Sequence, residues 1–568
     1  MLHALLASLL TAPQVINHGR KLSFAPILNY APGSKVTDHA RIDLDQSAME
    51  SALAQPVDYT MATTIYTTGA HSKPSAVCTL ISPATLGQSV AKSTGVSFST
   101  TSGQTITNGK SYQDHEATST TFTFSYPVSE ERVQPDGSAC FEGGMAVSDR
   151  KSSGCIASDG TGSSTFTINA ITYTATCTNR AKRTIQGFST SAQAKMHDCP
   201  TDSSKSWVNG CPYSSYLPYF AYYGAYDYAN QLVMAALEGT STSFRNGNQD
   251  LASTTDTGRV EVAKKAAAYM NTWMYVLREF EDAIDDCTNG DLYANAGSSG
   301  PVHAWDEGVA FYVGSLMDSD DLTGSELTAL DSKGKESYTL ANKRCKNYKT
   351  CGPDGNDLYG EAKVNFDLFR LFNIGQHNLL IGECSEVVPI KNQINQKMTI
   401  PLVQGTLRYA YKIDVLQGGD KEKAEMAVFA AAVLPQLHAC SEAHAQTVYD
   451  NTHITSSDTD YNAVKAAFES CYSSMGITCA EVGGLWNSAI DNYYNDQGRD
   501  ASPCIDARAP DLSEGAIAGI AVAGVVMAGM ICLILALICK ERQGQPLFSQ
   551  LDQSKARPAR GNPTTNTV

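Results

Sequence analysis

The chain has 568 residues, too many for one ordinary hydrophobic core, so two or three domains are expected. Its formal net charge of −16 disfavours nucleic acid and any anionic surface, and is compatible with gathering cations. The 16 cysteines would be out of place in a reducing cytosol and read as a disulfide framework.

In chain order, MLHALLASLLTAPQV opens with an apolar run and reads as a signal peptide within residues 1–20, although no Lys or Arg precedes the run. No Asn-x-Ser/Thr acceptor occurs, so glycosylation gives export no support. Residues up to about Pro56 carry no readable pattern. From 57 to 215 the composition turns to Ser, Thr and Gly, with alternating runs such as Thr63-Thr64-Ile65-Tyr66, Thr121-Phe122-Thr123-Phe124 and Ile171-Thr172-Tyr173-Thr174. β-branched and aromatic residues alternating with hydroxyls suit half-buried strands. Turn signals at Asn108-Gly109, Pro135-Asp136-Gly137 and Asp159-Gly160 separate these runs. With Cys78, Cys140, Cys155, Cys177, Cys199 and Cys211, the segment predicts a disulfide-stapled all-β domain.

Residues 216–505 change to helical periodicity: Val260 to Ile284, His303 to Met317, Val364 to Ile381, Ile400 to Leu416, Lys421 to Tyr449 and Tyr461 to Ser473. Eight cysteines from Cys287 to Cys504 can close their own bridges. Three short matches recur in order: Tyr223–Asp227 with Ile374–Asn378, Trp273–Arg278 with Leu407–Lys412, and Glu307–Phe311 with Glu425–Phe429. They predict a duplicated all-α bundle, a setting in which facing helices often hold metals. Gly515 to Cys539 carries no charge over 25 residues, enough to cross a ~30 Å hydrocarbon layer. Lys540, Glu541 and Arg542 follow, which predicts a single C-terminal transmembrane helix with residues 540–568 cytoplasmic. The expected fold class is therefore mixed, with an N-terminal all-β domain, a larger duplicated all-α bundle and one membrane anchor in a type I plasma-membrane orientation.

Within the helical part, Pro301-Val302-His303-Ala304-Trp305-Asp306-Glu307 places His303, Asp306 and Glu307 at i, i+3 and i+4, on one helix face. An imidazole and two carboxylates gathered this way suit a borderline or hard cation, and the same acids also read as complements to the helix macrodipole. The stretch Tyr219 to Tyr228 is rich in phenols; Tyr226 and Asp227 are candidate ligands, and an aromatic packing stripe is the competing reading. His377 matches Tyr226 in the proposed repeat. His438 and Glu442 lie one turn apart on the same face of the Lys421–Tyr449 helix as candidate ligands, and a polar helix stripe with Cys440 in a structural bond is the competing reading. No HExxH, GxSxG, P-loop or GxGxxG motif is present, and no catalytic residue is expected.

HAWDEGVAFYVGS from His303, the tyrosine-rich YFAYYGAYDYA and WMYVLREFEDAIDDC from Trp273 resemble the algal iron-assimilation family, the phytotransferrins that diatoms and other marine algae display under iron starvation. The resemblance covers roughly residues 216–504. It implies cell-surface capture of ferric iron with carbonate as a synergistic anion, followed by internalisation through endocytic machinery engaged by the tail, with no catalysis. Under it, Asp227 or Asp306, Tyr226, and His303 or His377 would serve the iron, and Arg278 or Arg408 the anion, since a guanidinium matches a planar oxyanion. Release between about pH 7 and pH 5 is expected if a His and carbonate hold the ion. The rival expectations are a structural or adhesive surface protein without metal and an imelysin-like metal-dependent enzyme.

Overall fold

The computed structural model describes residues 27–69, 71–72, 74–81, 95–100, 105–111, 121–127, 161–168, 171–181, 183–191, 196, 212–290, 300–316 and 334–506. The expected signal peptide, membrane segment 515–539 and tail lie outside these, and among the described residues no helix is long and apolar enough to cross a membrane.

Three helices open the described chain: α1 (Thr37–Ala40), α2 (Ile42–Ala52) and α3 (Tyr59–Thr68). Six strands follow: β1 (Pro74–Ile81), β2 (Gly95–Thr100), β3 (Thr105–Ser111), β4 (Thr121–Pro127), β5 (Thr161–Ile168) and β6 (Ile171–Ala181). They are antiparallel and close into a barrel in the order β1-β4-β3-β2-β5-β6, so no edge is left unpaired. After the barrel the described residues are mostly helical, apart from two short two-stranded pairs within residues 486–500: α4 (Ile185–Thr190), α5 (Leu217–Tyr223), α6 (Tyr228–Glu238), α7 (Asp256–Ala266), α8 (Trp273–Thr288) and α9 (Pro301–Val313). A π-helical turn, Ala267–Thr272, joins α7 to α8. The later helices are α10 (Ser337–Tyr348), α11 (Lys363–Leu380), α12 (Cys384–Asp414), α13 (Asp420–Cys440), α14 (Glu442–Thr452), α15 (Tyr461–Glu469), α16 (Tyr472–Met475) and α17 (Cys479–Val482).

This architecture overturns the expected all-β domain set beside an all-α one. The described chain is mostly helical, and helices lie on both sides of the strands in sequence. Tyr30, Ile42, Met49 and Tyr66 before the barrel, and Ile185 and Phe188 after it, are buried in the same core as α7 to α13. Thr63-Thr64-Ile65-Tyr66, expected as a strand, is the middle of α3. Its β-branched residues are overridden because Asp58 caps the helix, accepting from Met61 N at 2.8 Å, while Ala62 and Tyr66 face the core.

Four disulfides, Cys287–Cys384, Cys345–Cys351, Cys440–Cys471 and Cys479–Cys504, pair the eight cysteines from 287 to 504. They fit an oxidising compartment outside the cytosol.

Candidate metal centre

α9 is positioned by its two ends and its packing. Pro301 sits in the first turn, where its missing N–H costs nothing, and Gly314 ends the helix at φ 77°. Trp305, Val309 and Tyr312 are buried, and Trp305 donates its indole N–H to Phe372 O at 3.0 Å on α11. Gly308 lets α9 approach α8, because a Cβ there would lie 2.6 Å from the Phe280 ring.

On this helix His303 and Glu307 stand one turn apart, with Nε2 of His303 3.0 Å from Oε1 of Glu307. The third member comes from α1: His39 Nε2 lies 2.6 Å from the same oxygen. His39, His303 and Glu307 each offer one ligand atom, all within 4.8 Å of one another, and the group could hold a metal ion. Among the described residues it is the one such convergence of three His, Cys, Asp or Glu donors. His39 is 2 % exposed and Glu307 5 %, so an ion here would be shielded from bulk water.

Further residues fix the donors. Ser34 Oγ donates to Asp306 Oδ2 at 2.7 Å and lies 3.0 Å from His303 Nδ1. Its hydrogen is committed to the carboxylate, so Nδ1 must carry the proton donated to Ser34, which places the other ring nitrogen, Nε2, on the metal side. Asp306 also accepts from Tyr30 Oη and from Gln376 Nε2 at 2.9 Å. Burial raises Asp306 to about 6, with the Ser34, Tyr30 and Gln376 hydrogen bonds opposing. The far side of Glu307 meets Arg183, whose Nη2 lies 2.9 Å from Oε2. Burial alone would raise Glu307; the charge of His39, the bonds from both imidazoles and Arg183 outweigh it and hold the carboxyl well below its usual range. Arg183 also pairs with Glu279 at 3.1 Å, and Arg278 pairs with Glu279 at 2.8 Å. Burial, with Glu307 adding to it and Arg278 opposing, raises Glu279 to about 7.

Of the sequence candidates, His303 and Glu307 are brought together. Asp306 is not: it points to Tyr30, Ser34 and Gln376 and acts on the site through Ser34. Tyr226 and Asp227 lie in the turn between α5 and α6, where Asp227 accepts from Gln231 Nε2 at 2.7 Å. His377 is exposed in the last turn of α11, whereas Tyr226 lies in a turn between helices. The neighbouring phenols form a packing stripe: Tyr223 and Tyr228 stack at 4.8 Å, and Tyr219 and Tyr223 donate to Ala432 O and Ala431 O. His438 and Glu442 share no helix face, because Ser441 ends α13 and caps α14; His438 packs edge-on to Tyr222 instead. Arg278 belongs to the Glu279 and Asp282 ion pairs, and Arg408 lies over the Tyr409 ring at 4.9 Å.

Sequence reasoning missed His39, Ser34 and Arg183. Val36, Ala40 and Leu44, all buried, recur every four residues through Val36-Thr37-Asp38-His39-Ala40, a helical signal short enough to be lost beside residues without pattern. Arg183 comes just after β6 and carries no pattern that singles it out. No family model, curated protein or solved structure matches the chain.

Proposed function

We propose that the protein captures a metal ion outside the cytosol, with iron as the cargo and His39, His303 and Glu307 as its protein donors. The observation that supports this reading is the approach of two imidazoles from separate helices to one buried carboxylate oxygen, with a guanidinium on the other oxygen. Two nitrogens and one oxygen suit a borderline cation such as iron. Three protein donors leave coordination positions for a small anion. In the ferric form with carbonate that the family resemblance implies, Arg183, already 2.9 Å from Glu307 Oε2, would be the guanidinium to hold such an anion. Capture requires display of the site at the cell surface, in keeping with four disulfides.

Isothermal titration of the full chain with chelated ferric iron, with and without bicarbonate, tests this. Saturable binding that falls at least about tenfold in His39→Ala and in Glu307→Gln is expected. Absence of binding in both buffers ends the reading. The same donor set is also that of non-haem ferrous enzymes with open positions, so a second reading is an iron-dependent enzyme. Multiple turnovers of ferrous iron in air, lost in His303→Ala, would favour it over capture.

A further inference from the structure

The arrangement around Glu307 has a counterpart around Glu425 in which, among the described residues, one guanidinium has no carboxylate partner. On the metal side, the Tyr275 and Phe311 rings lie 5.6 Å apart, and Arg183 sits 5.6 and 5.3 Å from them. On the other side, Tyr409 and Phe429 lie 5.8 Å apart, and Arg344 sits 5.6 and 6.0 Å from them. Tyr275 and Tyr409, and Glu307-to-Phe311 and Glu425-to-Phe429, are corresponding positions of the short sequence matches.

The two places differ in their charges. Among the described residues no imidazole approaches Glu425; Lys265 Nζ lies 3.6 Å from its Oε1 and 3.6 Å from Glu261 Oε2, so an ammonium supplies the positive charge. Arg183 has two carboxylates, Glu279 and Glu307, whereas Arg344 has no carboxylate within 4 Å among the described residues. Arg344 is 7 % exposed, and its Nε and Nη1 are buried with no acceptor. A guanidinium stays charged at any physiological pH, and a buried charge without a partner is costly. The aromatic faces of Tyr409 and Phe429 offset part of that cost but accept no hydrogen bond in the guanidinium plane. Among the described residues no side chain supplies the missing acceptor, and the nearby Tyr348 hydroxyl is directed to Gln404 O. Further positive charge is close, with Arg408 4.9 Å and Lys412 5.5 Å from the Tyr409 ring.

We propose that Arg344 anchors a second binding site, distinct from the metal centre, that takes a small inorganic oxyanion between α10, α12 and α13. The ligand class follows from the donors: planar N–H groups and neighbouring cations call for a compact group with several acceptor oxygens, such as phosphate or bicarbonate. The site is independent of the metal reading.

The test uses the full chain, stripped of metal with a chelator and held in a buffer without oxyanions. It is titrated calorimetrically with inorganic phosphate and, separately, with bicarbonate. Saturable uptake of at least one anion is expected, weakened at least about tenfold by Arg344→Gln and less by Arg344→Lys, which keeps the charge but loses the planar donors. Because Arg344→Gln removes a buried charge without a partner, its melting temperature in anion-free buffer is expected to equal or exceed that of the wild type. Should it not fold, an affinity loss in Arg344→Lys decides in favour of the site. No saturable uptake by the wild type, or affinity within about twofold in the folded variants, overturns the proposal. With metal absent throughout, either outcome leaves the metal centre's own test unaffected.

Discussion

At the scale of single residues, Ser34 and Asp43 show how buried polar groups set the behaviour of this end of the molecule. Ser34 is the link between Asp306 and His303, and its loss leaves the ring free to rotate and to change tautomer. Ser34→Ala is therefore expected to weaken metal binding by about 10- to 100-fold with little change in melting temperature; unchanged affinity would show that packing alone orients the ring. Asp43 lies behind α9, accepting from Ser315 Oγ at 2.7 Å and Leu316 N at 3.0 Å, and burial, opposed by these bonds, raises it from 3.8 to about 6. The fold thus binds this proton more tightly than the unfolded chain does. The stability it contributes is full below pH 3.8 and is lost as pH rises through about 6. A shift of this size corresponds to about 3 kcal/mol. Urea unfolding of the metal-free wild type and Asp43→Asn at pH 4 to 7 checks it: wild-type stability minus variant stability should fall by about that amount over the interval. A difference that does not vary with pH would contradict the raised value.

At the scale of elements, α9 owes its position to Gly308 and to a disulfide that closes around it. A Cβ at residue 308 would meet the Phe280 ring at 2.6 to 3.0 Å, a rigid neighbour with nowhere to yield. Gly308→Ala should therefore cost about 1–3 kcal/mol and move the Glu307 carboxylate, lowering metal affinity as well. Full retention of both stability and affinity would show that α8 and α9 can part without consequence. Cys287 at the end of α8 and Cys384 at the start of α12 are joined across 97 residues of sequence that include α9, α10 and α11. A bridge over so long a loop restricts the unfolded chain strongly, and Cys287→Ser with Cys384→Ser is expected to lose about 2–5 kcal/mol in chemical unfolding. The periodicity of α9, α11 and α15 was legible because their apolar residues recur at helical spacing over more than two turns. The join of α7 to α8 through a π-helical turn was not, since Ala267 to Thr272 continues the same apolar pattern. The break at Ser441 was hidden likewise, and with it went the supposed pairing of His438 and Glu442.

At the scale of the whole molecule, the metal centre is legible only in half. His303 and Glu307 share one helix, so their spacing declares them. His39 reaches them across 264 positions, and its approach depends on α1, which is four residues long and has no signal of its own. Local alternation identified β4, β5 and β6 of the six barrel strands, but nothing local says that α1 to α3 return to pack with helices from the far side of the barrel. An ion held by His39, His303 and Glu307 would cross-link α1 to α9. An ion that binds the folded state alone stabilises it by mass action, about 2.7 kcal/mol at a free concentration one hundred times Kd. Iron at that excess should raise the melting temperature of the wild type by several degrees and protect the segment around residue 39 from protease. In His39→Ala the ion can still meet His303 and Glu307, but it no longer ties α1 to α9. The variant should therefore lose protection at the N-terminal segment even at iron concentrations that restore occupancy. Equal protection of wild type and variant at matched occupancy would mean that α1 is held by its own packing and that the third donor is not His39.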